Sequence, residues 1–181
     1  MQRFEAAPWA TALKAVSAFG TLVLVAVAWA ASRSAPPSGL AHHVGALVAL
    51  LPPVVAVGAI LFVVRGYEID SIELRTERLL WTTAISLSVV ARVWADPKAM
   101  RGSLRIFGNG GLYSITGLFW SRKLGRYRAF VTDPKRCVVV LGTDRVLVLS
   151  PSEPAFFVDR VRALHPGAAT GPPAEGHRPK A

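Results

Sequence analysis

One uncharged apolar run constrains this chain more than any other feature. The run Val44–Val64 contains no charged residue, and Arg65 follows it directly. A bilayer core is about 30 Å thick, so a helix that rises about 1.5 Å per residue needs about 20 apolar residues to cross it. Val44–Val64 therefore predicts a transmembrane helix. Pro52 and Pro53 lie in its middle, where a helix in lipid can carry them as a kink.

A first apolar run, expected to be helical over about residues 10–31, precedes this span. Trp9 and Trp29 lie near its ends, where aromatic side chains favour the lipid–water interface. A secretory signal peptide is the competing interpretation, because Ala28–Ala30 is similar to a cleavage site. The length of the run favours a second membrane helix. Residues 1–65 are therefore expected to form a transmembrane hairpin with a short external loop.

The basic residues are unevenly distributed along the chain. The net charge is +10, and nearly all of that excess follows the second apolar run. Arg65, Arg75 and Arg78 lie just after this run, whereas the loop 32–43 contains Arg33 alone. Because Lys and Arg are enriched on the cytoplasmic side of membrane helices, both termini are predicted to be cytoplasmic. The expected location is the cell membrane, with two spans.

From residue 66 the apolar pattern changes from helical to alternating. Short alternating segments between charged or glycine-containing turns predict about seven strands within residues 66–165. Phe157, Val161 and Leu164 recur at helical spacing and predict a C-terminal helix with one buried face. The remainder, 166–181, is poor in apolar residues and predicts a disordered tail. The predicted fold class is a membrane α-hairpin plus a mainly-β barrel or bent sheet, closed by a C-terminal helix.

Several short motifs stand out in this polar domain: Arg105 with the turn Gly108–Gly111, Gly117, Leu124-Gly125 with Tyr127, and Ser150-Pro151 before the helix. With the order of elements, they resemble the bacterial PH-like (pleckstrin-homology-type) proteins that carry a PH-type barrel behind two membrane helices. The resemblance covers Gly66 to about Leu164. It implies a PH-like fold and leaves the partner open.

A basic hairpin is the best candidate for a binding site. Four cations and three aromatic residues surround one predicted turn, Ser121–Gly125, and the candidate ligands of an anion or lipid headgroup are Arg122, Lys123, Arg126 and Arg128. Strand alternation places Arg126 and Arg128 on one face and Tyr127 on the other. In eukaryotic PH domains, basic residues near a strand–strand loop hold lipid phosphates. This hairpin is not the first of the domain, so that site is not transferred residue by residue. General attraction to anionic lipid, about 1 kcal/mol per cation, is the alternative.

A second candidate is the turn containing Asn109 and Gly110, whose backbone N–H groups could hold an anion. The alternative is a simple hairpin, because Asn-Gly favours the positive φ of tight turns. His42 and His43 are adjacent, and they are interpreted as an interfacial polar pair rather than as metal ligands. No cofactor or metal is expected.

Catalysis has little support in the sequence. No metalloprotease, nucleophile-elbow, phosphate-loop or paired-cysteine motif is present. Cys137, the single cysteine, lies in an apolar strand and is interpreted as a core residue. The sequence therefore predicts a protein that is not an enzyme.

Three functions remain open at this point. The first is an interaction module that holds a protein through an exposed strand edge or a groove. The second is a sensor of anionic lipid or of a small anion. The third is an accessory subunit of a membrane transporter, for which the proline-containing span is the indication. Nucleic acid is not an expected partner, because the membrane surface is a simpler partner for the same basic charge.

Overall fold

The computed structural model describes residues 2–34, 38–86, 90–143 and 145–173. A short strand, β1 (Gln2–Glu5), leads into two long helices, α1 (Thr11–Ser34) and α2 (Leu40–Leu61). Both helices are long and apolar enough to cross a membrane, and very little of either is buried. The second continues through Pro52 and Pro53 as one helix.

The rest of the described chain forms two bent sheets and one helix. The elements are β2 (Gly66–Ile69), β3 (Glu73–Glu77), β4 (Thr82–Ser86), β5 (Val90–Ala95), β6 (Leu104–Gly110), β7 (Ile115–Ser121), β8 (Gly125–Val131), β9 (Val138–Gly142), β10 (Val146–Leu149), α3 (Pro154–Leu164) and β11 (Ala169–Thr170). The sheet orders are β1-β2-β3-β4 and β11-β5-β9-β10-β8-β7-β6. The predicted fold class is confirmed as bent sheets, and the described strands do not close into a barrel.

The core lies between the two sheets and beneath α3. The central strands β9 and β10 are almost entirely buried because both faces of the larger sheet are covered. Phe157 of α3 is completely buried, and its ring contacts those of Phe4 and Tyr67 at centroid distances of 4.9 and 6.4 Å. Val161 is also buried, and Leu164 packs against the same cluster. The buried face predicted for the C-terminal helix is confirmed.

Two strands were not anticipated from the sequence. The first, β1, pairs antiparallel with β2 across the long helical insertion, and Phe4 enters the core. The second, β11, pairs with β5 inside the segment predicted as a disordered tail. Four and two residues are too few to show a period of their own, so these strands depend on their partners. Residues 174–181 of the predicted tail lie outside the described residues.

Both ends of the helical hairpin are fixed to the β-domain. Before α1, the backbone N–H of Ala7 donates to the carbonyl of Ser150 at 2.8 Å, and the Thr132 hydroxyl donates to the carbonyl of Ala7 at 2.6 Å. After α2, the Ser114 hydroxyl donates to the carbonyl of Phe62 at 3.1 Å. The helices therefore leave the domain and return to it on the same side.

The β6–β7 loop is attached to the side of α1. The Ser17 hydroxyl accepts a hydrogen bond from the backbone N–H of Tyr113 at 2.8 Å. The Thr21 and Tyr113 hydroxyl groups lie 2.7 Å apart, and the ring of Trp9 packs on that of Tyr113 at 6.0 Å. These contacts hold the larger sheet beside the helices, with a space left between β6–β8 and the end of α2.

The burial of Phe157 gives a stability prediction. We expect Phe157→Ala to lower the free energy of unfolding by about 3–5 kcal/mol, because it leaves a cavity beneath α3. Phe156→Ala on the same helix is the matched control, since that side chain is 52% exposed. Thermal unfolding of the full chain in detergent, followed by tryptophan fluorescence, measures both. The full chain is needed because Phe4 packs on Phe157. Equal melting temperatures for the two variants would contradict the prediction.

Candidate functional site

An open cleft of about 1020 Å³ lies between the last turns of α2 and one face of β6–β8. Three arginines contribute to its lining, and we call it the arginine cleft. Its other lining residues are mostly apolar or small. The complete lining is Val55, Gly58, Ala59, Phe62, Arg78, Thr83, Arg105, Phe107, Gly108, Asn109, Leu112, Thr116, Gly117, Leu118, Arg128 and Phe130.

Two facing glycines shape the floor of the arginine cleft. Gly108 and Gly117 pair across β6 and β7, with φ angles of 111° and 138°. A Cβ atom on Gly117 would lie 2.2 Å from the carbonyl oxygen of Phe107, which no real side chain tolerates. The register shifts between Arg105 and Phe107 just before this pair. The two strands therefore approach closely at Gly108 and Gly117, and the edge of the sheet bends there.

Arg78 is held in the arginine cleft by aromatic rings. It begins the β3–β4 turn, and its guanidinium carbon lies 5.0 Å from the ring centroid of Phe62, 5.4 Å from that of Phe130 and 5.6 Å from that of Trp81. Cation–π contacts of this kind fix a cation without neutralising it. The Nε of Arg78 is buried and has no hydrogen-bond partner.

The three arginines of the cleft have no carboxylate partner in the part of the chain that the structure describes. Among the described residues, the ion pairs are Arg3–Glu77, Arg75–Glu73, Lys123–Asp96 and Arg136–Asp133. Burial, and next the neighbouring charge of Arg128, lower the pKa of Arg78. The guanidinium of Arg105 lies over the backbone of Gly110, where a Cβ atom would approach to 2.7 Å. The cleft thus gathers like charges that an anion would stabilise.

The predicted basic hairpin forms, and its four cations separate into different environments. The turn lies between Ser121 and Gly125 as expected. Lys123 is paired with Asp96, and Arg122 and Arg126 are exposed outside the arginine cleft. Arg128 alone of the four lines the cleft. Arg126 and Arg128 are exposed while Tyr127 is buried, in agreement with the predicted alternation.

Asn109 and Gly110 do not lie in a turn, which corrects that part of the sequence interpretation. Both belong to β6, where they pair with Thr116 and Ile115. The Asn109 carboxamide oxygen accepts hydrogen bonds from the N–H groups of Gly111 and Leu112 at 3.2 and 3.0 Å. Those N–H groups are therefore used inside the loop. Anion binding by this loop stays a prediction, and its geometry gives it no support.

Cys137, His42 and His43 are the other residues that the sequence analysis considered for chemistry. Burial raises the pKa of the Cys137 thiol to about 12, so the thiolate is not formed near neutral pH. The rings of His42 and His43 lie 5.7 Å apart. Within the described ranges, no group of three His, Cys, Asp or Glu side chains could hold a metal ion.

Arg78 and Arg105 were not identified as site residues from the sequence. Arg78 precedes Leu79-Leu80-Trp81, and Arg105 lies between Leu104 and Ile106. A cation next to or within a short apolar run is the signal that could have found both. Neither residue is close in sequence to Arg128. The pairing of β6, β7 and β8 brings Arg105 and Arg128 onto one sheet, and the contact of Arg78 with Phe130 of β8 adds the third arginine.

The family assignment agrees with this architecture. A family model described as the bacterial PH domain matches residues 65–164, which is more than half of the chain. Neither a curated protein nor a solved structure shows a significant match. The matched range begins directly after α2 and ends with α3, so it covers the two sheets and their closing helix apart from β1 and β11. The chain belongs to the bacterial PH domain family.

Proposed function

We propose that this chain is a membrane-anchored, non-enzymatic interaction module that faces the cytoplasm and binds an anionic group in the arginine cleft. One observation carries the proposal: Arg78, Arg105 and Arg128 line a single cleft, and no described carboxylate pairs with any of them. Guanidinium groups form strong charge-assisted hydrogen bonds to phosphate and carboxylate, often two at a time.

Membrane anchoring is supported by the exposure of both long helices. Large apolar side chains on α1 and α2, among them Phe19, Leu22, Leu47 and Val54, are more than 60% exposed. In water this surface would be costly, because burying each such side chain is worth about 1.5–3 kcal/mol. A bilayer covers it without a protein partner, and the attachment of both helix ends to the domain then places β1 and the two sheets on one side of the membrane.

Protein binding by strand addition is the second candidate. The strand β6 forms one edge of the larger sheet, and its side chains Leu104, Ile106 and Phe107 are 51–78% exposed. An exposed edge offers unpaired backbone groups to an extended peptide. Its main-chain hydrogen bonds would respond little to salt, whereas binding of an anion weakens as ionic strength rises.

The arginine cleft gives a binding prediction. Hexyl phosphate should bind the full chain in neutral detergent, and hexylphosphocholine, with the same alkyl chain, should bind more weakly. The double variant Arg105→Gln/Arg128→Gln should weaken hexyl phosphate binding by at least about tenfold, or ~1.4 kcal/mol, because it removes two charge-assisted contacts. Tryptophan fluorescence is the readout, since Trp81 lies beside Arg78.

The matched control is Arg122→Gln/Arg126→Gln, which removes the same number of exposed arginines from the basic hairpin. Substitutions at such exposed positions should leave folding nearly unchanged. We expect the control to bind within about twofold of the unmodified chain, because general attraction to a soluble alkyl phosphate is screened by salt. Equal losses in both double variants would indicate general basic charge rather than a site. No phosphate preference in the unmodified chain would overturn the proposal.

The topology gives a second prediction. A maleimide reagent that cannot cross membranes should label Ser38→Cys in intact cells, because Ser38 lies in the loop between the two helices. A reporter fused to the C-terminal end should be active only in the cytoplasm. The native Cys137 is a silent background, since it is buried and its thiol stays protonated. Labelling of Ser38→Cys only after permeabilisation would reverse the orientation and contradict the cytoplasmic location.

A further inference from the structure

The arginine cleft has one wall made of a helix that is apolar enough to span a membrane. Val55, Gly58 and Ala59 of α2 face the cleft, and Val55 lies seven residues before Phe62. At a rise of about 1.5 Å per residue, this wall extends about 10 Å into α2 from its domain end. The cleft is therefore bounded on one side by apolar surface of α2, which suits contact with lipid, and on the other side by the β-domain, which suits contact with water.

The β6–β7 side of the cleft is also fixed at a point partway along the helices. The loop after β6 is fixed to Ser17 and Thr21, and Thr21 lies ten residues into α1. This contact is about 15 Å along the helix from Thr11. Because α1 has 24 residues and is therefore about 36 Å long, the contact lies within the part of the helix that is apolar enough to span, and the β6–β7 loop lies beside that part rather than beyond its end.

The rim of the cleft is apolar and uncovered. Phe107 lines the cleft and is 78% exposed, and Leu80, at the tip of the turn that carries Arg78, is 71% exposed. Trp81 packs on Phe62 at the end of α2, at a centroid distance of 5.1 Å. Exposed apolar groups next to a pocket mark a surface that is covered in use. Their continuity with α2 points to lipid as the covering phase.

Among the described residues, the charged side chains that line the cleft are all arginines. Arg78 is held by Phe62 and Trp81, so its charge is placed where the apolar helix ends and the domain begins. A ligand that satisfies both parts of the cleft needs an anionic head for the arginines and an alkyl chain for the wall of α2. A free phosphate ion would satisfy only the first part.

We propose that the arginine cleft binds a membrane-derived anionic amphiphile, with its anionic head on Arg78, Arg105 and Arg128 and its alkyl chain along Val55, Gly58 and Phe107. This inference rests on the proposed anion-binding function and specifies the ligand class of the same site. The amphiphile enters sideways from the bilayer, because the apolar rim and the wall of α2 are continuous with the lipid phase. No covalent step is involved.

The test separates the contribution of the alkyl chain from that of the phosphate. Ethyl, butyl and hexyl phosphate are titrated against the full chain in neutral detergent, with tryptophan fluorescence as the readout. Gly58→Phe places a large side chain on the wall of the cleft that α2 forms, and its Cβ atom has room, because nothing lies within 4 Å of a Cβ atom built on Gly58. Val57→Phe is the matched control, since Val57 is exposed on the same helix outside the cleft.

In the unmodified chain we expect the affinity to rise by about threefold for each methylene group added, as burial of a CH₂ group predicts. Gly58→Phe should remove most of this rise, whereas Val57→Phe should retain it. Because the unmodified protein and both variants are measured in the same detergent, the partition of each phosphate into micelles cancels when the three proteins are compared. Chain-length dependence that is equal in all three proteins would assign the effect to the micelle and overturn the inference.

The two proposals fail in different ways. If ethyl phosphate binds as tightly as hexyl phosphate and Arg105→Gln/Arg128→Gln still abolishes binding, the cleft is a site for a free phosphate and only the amphiphile inference is overturned. If neither the length of the alkyl chain on the phosphate nor the arginine substitutions change binding, the anion-binding function fails as well. Selective binding of hexylphosphocholine would point to an apolar groove without a role for the arginines, and this too overturns the inference.

Discussion

The structure depends on the attachment of the helical hairpin to the sheets at more than one point. Hydrogen bonds from Ala7 to Ser150 and from Ser114 to Phe62 fix the start of α1 and the end of α2, and Tyr113 fixes the β6–β7 loop to α1. A single flexible linker would leave the domain free to rotate beneath the helices. With several attachments, the position of the larger sheet relative to α2 is defined, and so is the cleft between them.

Within the domain, the centre and the edge of the larger sheet differ in how far they are buried. The centre of that sheet is buried on both faces and is held by apolar packing, to which Phe157 and Tyr67 contribute. At the edge, most of β6 is exposed, and the end of α2 lies across the arginine cleft from β6–β8. Gly108 and Gly117 allow the two strands to bend closely at this place. The cleft is the consequence of that bend.

Keeping the arginines of the cleft ionised costs free energy. Arg78 is partly buried beside Arg128, and both the loss of hydration and the like charge disfavour its ionised form, which lowers its pKa. Contact with Phe62, Phe130 and Trp81 offsets part of this cost. A partly buried cation with a perturbed pKa in a cleft is a candidate for ligand binding, which is the basis of the proposed function. By contrast, Lys123 of the basic hairpin already has a carboxylate partner in Asp96.

The sequence by itself determined the features that depend on local periodicity and composition. The two apolar runs, the change to alternation at residue 66 and the helical spacing of Phe157 and Val161 each reflect a period that a short segment displays on its own. Only the tertiary structure decided the features that depend on distant partners. The strand β1 forms because β2 offers an edge, and Asn109 lies in a strand rather than a turn because β7 pairs with it. The arginine cleft joins Arg105 and Arg128 through the pairing of β6, β7 and β8, and it gains Arg78 through the contact of that residue with Phe130 of β8. No sequence period relates positions that meet only by strand pairing and packing.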